Sequence, residues 1–494
     1  MTSTFEPTAT AVDFDNDYQH TIGGRRYTSP TTFAVVNPAT RDVIASVPDA
    51  TAEQLDDAVA AARAAFASWS TTDIRERQDL VSAIGDRIEQ HAEEFMALLT
   101  REQGKPRAGA EFEIFGSIAW CREMATMSLD EEIVEETGDR LVVTRHTPIG
   151  VVGGIIPWNF PVILAMWKII PALVTGNCIV VKPSQFTPLT ALKLAEVCQD
   201  ILPPGVFSVI SGDGADLGKW ITAHPGIDKV AFTGSTATGK DVMRASAGTL
   251  KRVTLELGGN DPAIVLPDVD IEAVVPQVFW AAFQNSAQFC NAAKRIYVHQ
   301  DIYEDFRAAF VEFARTIKVG NGADADTALG PIQNEPQYRK VAEYITDCHA
   351  NGHRFALGGE LDRTAPGWFV PVSIVDNPPE DSRIVREEPF GPIVPLLMWN
   401  DEADVITRAN DTRYGLGASV WSADVEAAQR IGRRLEAGTV WLNEIHQYTP
   451  YSPNGGHKES GIGCENSVYG LREYTNTQTV TLNRNGATTA GGAS

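Results

Sequence analysis

From Gly150 to Gly259 one unit repeats along the chain, and that repeat leaves few folds open. "GVVGGII" reads as a strand and residues 160–174 as a helix; "CIVVKP" is strand-like and 188–201 helical. "VFSVIS" precedes a helix near 215–223, "KVAFTG" precedes one near 236–247, and "RVTLELGG" closes the series. Four strand–helix units spaced roughly 25–30 residues apart predict a parallel, doubly wound sheet. In such sheets ligands sit beyond the carboxyl ends of the strands, so the loops to read are 157–160, 182–188, 212–218 and 234–240. After Leu257 the pattern restarts with "AIVL", a helix near 270–286, "RIYVH" and a helix near 302–317, which predicts a second α/β domain. Upstream, residues 52–69 place Leu55, Val59, Ala62 and Phe66 on one helical stripe, and helical patterns run to about Ser128. The segment "LDEEIVEETGDRLVVTRHTP" alternates around Leu141 and Val143 and reads as an exposed hairpin strand.

Composition excludes several classes. With 494 residues the chain has room for two or three well-buried cores. A net charge of −23 argues against nucleic acid, whose binders need a basic face. Six cysteines (Cys121, Cys178, Cys198, Cys290, Cys348, Cys464) stand singly, without a C-x-x-C pair, and the nine histidines include no H-E-x-x-H. That is neither a disulfide framework nor a metal centre; it suits a reducing compartment with one reactive thiol. "PVILAMWKIIPALVTGNCIVV" is long enough for a membrane span, but Lys168, Pro161 and Pro171 interrupt it. A buried helix and then a buried strand are expected there, in a cytoplasmic protein with no secretory core at its N-terminus and a flexible tail over 485–494.

"GSTATGK" within "KVAFTGSTATGKD" fits the G-x-x-x-x-G-K frame of nucleotide triphosphatases. The next residue should carry a hydroxyl for Mg²⁺, and here it is Asp241. Asp268 in "AIVLPD" could imitate the second acid such an enzyme needs, so this class stands as an alternative.

Three polar groups fall at strand ends of the same architecture. Asn159 lies in "PWNFP", Glu256 in "LELGGND" and Cys290 in "NSAQFCNAAKR". A lone cysteine is usually a small buried hydrophobe; convergence with a carboxylate and an amide is what points to nucleophilic chemistry.

"PWNFP", "FTGSTATGK", "LELGG", the N-x-x-Q-x-C-x-A-x-x-R frame, "EEPFGP" and "GGHKESGIG" occur in that order. Together they resemble the NAD(P)-dependent aldehyde dehydrogenase superfamily from about residue 20 to 480, closest to a less-characterised bacterial branch. The resemblance implies a Rossmann-type cofactor domain (1–128 and 148–257), an α/β catalytic domain (258–455) and a small β oligomerisation element (129–147 and 472–484). It implies that Cys290 attacks the aldehyde, that Asn159 and the Cys290 N–H hold the oxyanion, and that Glu256 activates water to release the acid. Members that transfer the acyl group to coenzyme A lack this glutamate, so hydrolysis is expected. Lys168 would join a proton relay or be a helix-surface charge.

For the cofactor, the resemblance carries over Ile155, Pro157, Trp158, Lys182, Ser184, Gln185, Gly214, Gly218, Phe232, Gly234, Ser235, Leu257, Glu388 and Phe390. The pyrophosphate would lie near Gly234 and Ser235, at a helix N-terminus, leaving Lys240 facing solvent. Many members have Glu where this chain has Gln185, and that carboxylate repels a 2′-phosphate; either NAD or NADP is therefore expected. Phe160, Leu164, Trp167, Phe289, Asn291, His446 and Tyr448 would line the aldehyde tunnel, although Phe160, Leu164 and Trp167 could equally be plain core. No arginine is placed to grip a carboxylate, so a neutral aliphatic or aromatic aldehyde is expected. Ala287 replaces the usual glycine, Asn454 an aromatic and Cys464 a common arginine. A homodimer or homotetramer is implied, and a non-catalytic structural protein on this fold is the other alternative.

Overall fold

A computed structural model describes residues 12–486; residues 487–494 of the expected tail lie outside them. Five parallel strands form the centre of an eight-stranded sheet, in the spatial order Phe207–Val209, Cys178–Lys182, Val151–Ile155, Lys229–Thr233, Arg252–Glu256. The chain starts at Val151–Ile155, winds outward one way through two strands and then returns to the other side. Its switch point therefore lies between the ends of Val151–Ile155 and Lys229–Thr233, where a doubly wound sheet opens a crevice.

The apolar stretch after Pro161 folds as expected, into the helix Ile163–Val174 and the strand Cys178–Lys182. Every residue of that helix is buried, Lys168 included. It packs on the helices Ile74–Gln90 and Arg107–Met124 and on the sheet. Full burial of each large apolar side chain is worth about 1.5–3 kcal/mol, which holds this helix and the loop before it in place. Among the described residues no helix is long and apolar enough to cross a membrane.

The second sheet is parallel over six strands, Ser373–Asp376, Ile393–Trp399, Ala293–His299, Asp261–Val265, Gly417–Trp421 and Thr439–Leu442, with Phe355–Leu357 antiparallel at its edge. A third, three-stranded sheet joins the expected hairpin Glu132–Glu136/Arg140–Pro148 to Thr475–Asn483.

Three departures from the expected elements have local causes. The helix expected over 188–201 is Leu189–Val197, because the chain turns at Cys198 ahead of Pro203 and Pro204. The helix expected to reach 286 ends at Phe283, and Asn285, Ser286 and Ala287 take positive φ (53°, 56° and 57°). The two-residue strand Gly461–Ile462, which no periodicity announces, adds antiparallel beside Leu255 and Glu256. It carries a C-terminal segment into the first sheet.

Candidate active site

The switch-point loops converge on Cys290 from two sides. One cavity of about 140 Å³ is lined by Pro157, Trp158, Asn159, Thr233, Gly234, Ser235, Leu257, Gly258, Gln337, Lys340, Glu388 and Phe390. A second, of about 190 Å³, is lined by Phe160, Leu164, Trp167, Phe289, Asn291, His446 and Tyr448, together with Phe112, Gly116, Trp120, Ile163 and Gln447. Cys290 lines both. All seven residues expected along an aldehyde tunnel thus share one cavity. The helix Arg107–Met124 contributes Phe112, Gly116 and Trp120, which were missed; their i, i+4, i+8 spacing is a readable stripe.

The Cys290 loop is held by its neighbours. Ser286 Oγ donates to Gly330 O at 2.7 Å, and Asn285 Nδ2 donates to Asn159 O at 3.0 Å. The Gln288 amide donates to Asn285 O and Pro331 O, and its Oε1 accepts the Gln333 N–H at 2.8 Å. These bonds sustain three successive left-handed residues, a conformation that costs a non-glycine residue roughly 1–2 kcal/mol. Ala287, which stands where a glycine is usual, is therefore strained.

Asn159 is buried, and its Nδ2 donates to Gln288 O at 3.1 Å. Its own carbonyl accepts from buried Lys105 Nζ at 3.0 Å, and Lys105 pairs with Glu113. Glu113 Oε1 in turn accepts the Val162 and Ile163 N–H groups at the start of the Ile163–Val174 helix. Sequence reading missed Lys105 and Glu113, which lock the loop carrying Asn159.

Glu256 ends its strand buried, with Oε1 unpartnered. Burial, and next the Glu465 carboxylate, push it well above the usual carboxylate range; Lys168 opposes them. Lys168 is not a surface charge: its side chain is 0% exposed, and Nζ donates to Thr233 Oγ1 at 2.7 Å and to Glu465 Oε1 at 3.0 Å. Glu465 reaches this place because its segment follows the Gly461–Ile462 strand. Asn454 does not enter the tunnel; its backbone N–H donates to Glu465 O at 2.9 Å and its O accepts the Glu465 N–H at 2.7 Å. Cys464 is half-buried and its thiol is pushed up to about 12 by burial. The Cys290 thiol is likewise pushed up to about 12, chiefly by burial, and Lys294 opposes this.

Ser235 caps the helix Thr236–Ser246, its Oγ accepting the Thr238 N–H at 3.2 Å. Gly234 is required there: a Cβ would lie 2.5 Å from Phe232 Cζ, so Phe232 forms the floor of the turn. Free N–H groups at this helix start suit a phosphate. Trp158 and Phe390 meet edge to face at 5.4 Å, and Glu388 Oε1 accepts the Gly259 N–H at 3.1 Å. Ile155 and Lys182 end adjacent strands, followed by partly buried Ser184 and Gln185. Burial lowers Lys182 to about 8, and its Nζ donates to Pro183 O. Gly214 sits in an exposed turn with φ of 65° and Gly218 in the helix Asp216–Ala223; neither lines the cavities around Cys290.

Lys240 is half-exposed and pairs with Glu459 at 2.9 Å. Asp268 accepts from Ser422 Oγ and the Asp424 N–H beside the second sheet, so it is committed there rather than to the "GSTATGK" turn.

The chain belongs to the Aldehyde dehydrogenase family, whose profile it matches over residues 26–480. It is 40% identical over 471 residues to the putative aldehyde dehydrogenase FUS7 of Gibberella fujikuroi, covering 95% of this chain and 100% of that one. It is 38% identical to the putative aldehyde dehydrogenase DhaS of Bacillus subtilis, over 92% and 93% of the two chains. Among solved structures it superposes on an aldehyde dehydrogenase from Bacillus cereus in complex with NAD⁺ with a TM-score of 0.93, at 39% identity over 95% and 97% of the chains. A betaine aldehyde dehydrogenase from Staphylococcus aureus, also with NAD⁺, gives 0.93 at 35% identity over 97% of each.

Proposed function

We propose that this enzyme oxidises a neutral aliphatic or aromatic aldehyde to its carboxylic acid, using NAD or NADP. The single observation that carries the reading is Cys290 at the junction of two cavities: one with a capped helix N-terminus, the other walled by aromatic and aliphatic side chains. The first cavity would take the nicotinamide end of the dinucleotide against Glu388 and Phe390, with its phosphates at the Gly234–Ser235 turn and its adenosine ribose outside the cavity, toward Lys182 and Gln185. When bound, the dinucleotide supplies the hydride acceptor that turns the thiohemiacetal on Cys290 into a thioester.

The chain's own residues account for the remaining steps. Cys290 sulfur attacks the carbonyl carbon, and the oxyanion takes the Asn159 amide and the Cys290 N–H; one such donor is typically worth about 3–4 kcal/mol. Glu256 takes a proton from water, whose oxygen then attacks the thioester and expels the thiolate. Lys168 and Glu465 form a chain by which that proton leaves Glu256. Among the described residues the second cavity is lined by no lysine or arginine, and His446 is held neutral, lowered to about 4 by burial. A carboxylate-bearing aldehyde would find no counter-charge there. We further propose a homodimer or homotetramer through the three-stranded sheet, which leaves Ile133, Val134, Val480 and Leu482 exposed.

Reduction of NAD and of NADP by the purified protein, with a panel of aldehydes, tests the reading; silence across the panel would favour the non-catalytic alternative. Glu256→Gln should give one turnover per active subunit and then a steady rate about 10²–10⁴-fold lower, with the acyl-enzyme visible by mass spectrometry. In the wild type, the rising limb of the steady rate with pH should lie above the usual carboxylate range, because only ionised Glu256 accepts the proton. The glutamine variant should lose that limb.

Gln185→Glu should turn the enzyme toward NAD. A second charge about 4 Å from a 2′-phosphate costs roughly 4 kcal/mol at an effective dielectric near 20. The kcat/KM ratio of NAD to NADP should rise more than tenfold; an unchanged ratio would remove Gln185 from the ribose site.

A further inference from the structure

Lys294 takes no part in the steps assigned to Cys290, Asn159 and Glu256. It follows Cys290 by four residues, at the start of the strand Ala293–His299, and its side chain is 2% exposed. Its Nζ donates to the Cys290 carbonyl at 2.5 Å and lies 3.3 Å from Glu388 Oε1. A buried ammonium is costly, and packing alone would be served as well by a neutral residue of that length.

The other groups around the sulfur make its charge stand out. Glu256, Asp261 and Glu388 all face Cys290, and each opposes its ionisation. Asp261 is beside the nucleophile's backbone: a Cβ on Gly259 would lie 2.6 Å from Asp261 Oδ1 and 2.7 Å from Cys290 O. Asp261 is buried, finds no side-chain partner, and burial raises it to about 7. Asn291 Oδ1 lies 3.4 Å from the sulfur and is neutral. His446 donates through Nε2 to Asn291 O and is kept neutral by burial, while burial also holds the proton on Tyr448. Lys340 donates to the Glu388 carbonyl, and Lys168 is committed to Glu465. Among the described residues, Lys294 is the cation that bears on Cys290.

We propose that Lys294 is a positioning residue for the nucleophile: it tethers the Cys290 carbonyl and supplies a positive charge that favours the thiolate over the thiol in a buried site. The proposal rests on Cys290 being the nucleophile. It separates two demands that one burial would otherwise set against each other. The loop must be dry enough to shelter a thioester, yet a dry site favours the neutral thiol. A fixed ammonium, held on the same residue's carbonyl, offsets that without admitting water.

The test is the rate at which iodoacetamide alkylates Cys290 in the full-length enzyme without cofactor, read by peptide mass spectrometry from neutral to alkaline pH. The thiolate displaces iodide, so the rate follows its population. Lys294→Met should slow alkylation about ten- to a hundredfold at neutral pH, with the gap closing as pH rises. Lys294→Arg should restore most of the rate. Asp261→Asn, which removes a negative neighbour, should move the profile to lower pH in the range where Asp261 is ionised. A Lys294→Met profile that is slower by the same factor at every pH would mean that the lysine only shapes the loop, and would overturn the proposal. If the lysine variants do not fold, an unmoved profile in Asp261→Asn overturns it. Alkylation needs no turnover, so failure here is distinct from failure of the nucleophile reading, which would appear as aldehyde oxidation surviving the loss of Cys290.

Discussion

Cys290→Ala should lower aldehyde oxidation by about 10⁴-fold or more while leaving dinucleotide binding intact. The size follows from what is removed: without the sulfur no covalent adduct forms, and neither Asn159 nor Glu256 has an intermediate to act on. Groups that act as a unit lose most of their effect together, so Cys290→Ala/Glu256→Gln should be scarcely slower than Cys290→Ala alone. The fold should be spared. The sulfur's one hydrogen-bonding contact is weak, at 3.4 Å to Asn291, while the loop is held by Asn285, Ser286 and Gln288. Steady-state rates with the best aldehyde of the panel, beside dinucleotide titration by fluorescence, check both halves. Oxidation that survives in the alanine variant would displace Cys290 from the centre of the site.

What could be read from the sequence divides along physical lines. The strand–helix alternation from Gly150 is a local pattern, and the parallel sheet with its switch point followed from it. The residues around the cavities were legible where a motif or a helical spacing carried them, as with Leu164 and Trp167 on the helix Ile163–Val174 and Phe160 in the motif just before it. Glu465 was not legible: it arrives beside Glu256 because two residues, Gly461 and Ile462, extend the first sheet antiparallel, a contact with no periodicity to reveal it. Lys105 and Glu113 were hidden for a related reason. A lysine and a glutamate on helical stretches read as solvated charges, and only tertiary packing shows them paired and buried under the Asn159 loop. The same bias produced the surface alternative for Lys168. Asn454, which stands where an aromatic is usual, meets Glu465 through its backbone, a pairing that no local pattern announces.

Lys168→Met should be strongly destabilising, because it strands Glu465 as a buried charge without its lysine partner. Breaking a buried ion pair from one side typically costs about 3–5 kcal/mol, whereas replacing both charges by neutral groups of similar volume is often close to neutral. Lys168→Met/Glu465→Gln should therefore recover most of the lost stability, a coupling that a double-mutant cycle in denaturant would measure on the first unfolding transition. The catalytic consequence has its own sign. Lys168 counters the burial and the Glu465 charge that push Glu256 upward, so its loss lets Glu256 titrate at still higher pH. The ionised form of Glu256 is the one that accepts water's proton, so the rising limb of the hydrolytic step should move to higher pH in Lys168→Met and return part of the way in the double variant. Stability that falls while the limb stays fixed would make Lys168 a structural cation alone and would leave Glu256 to discharge its proton by another route.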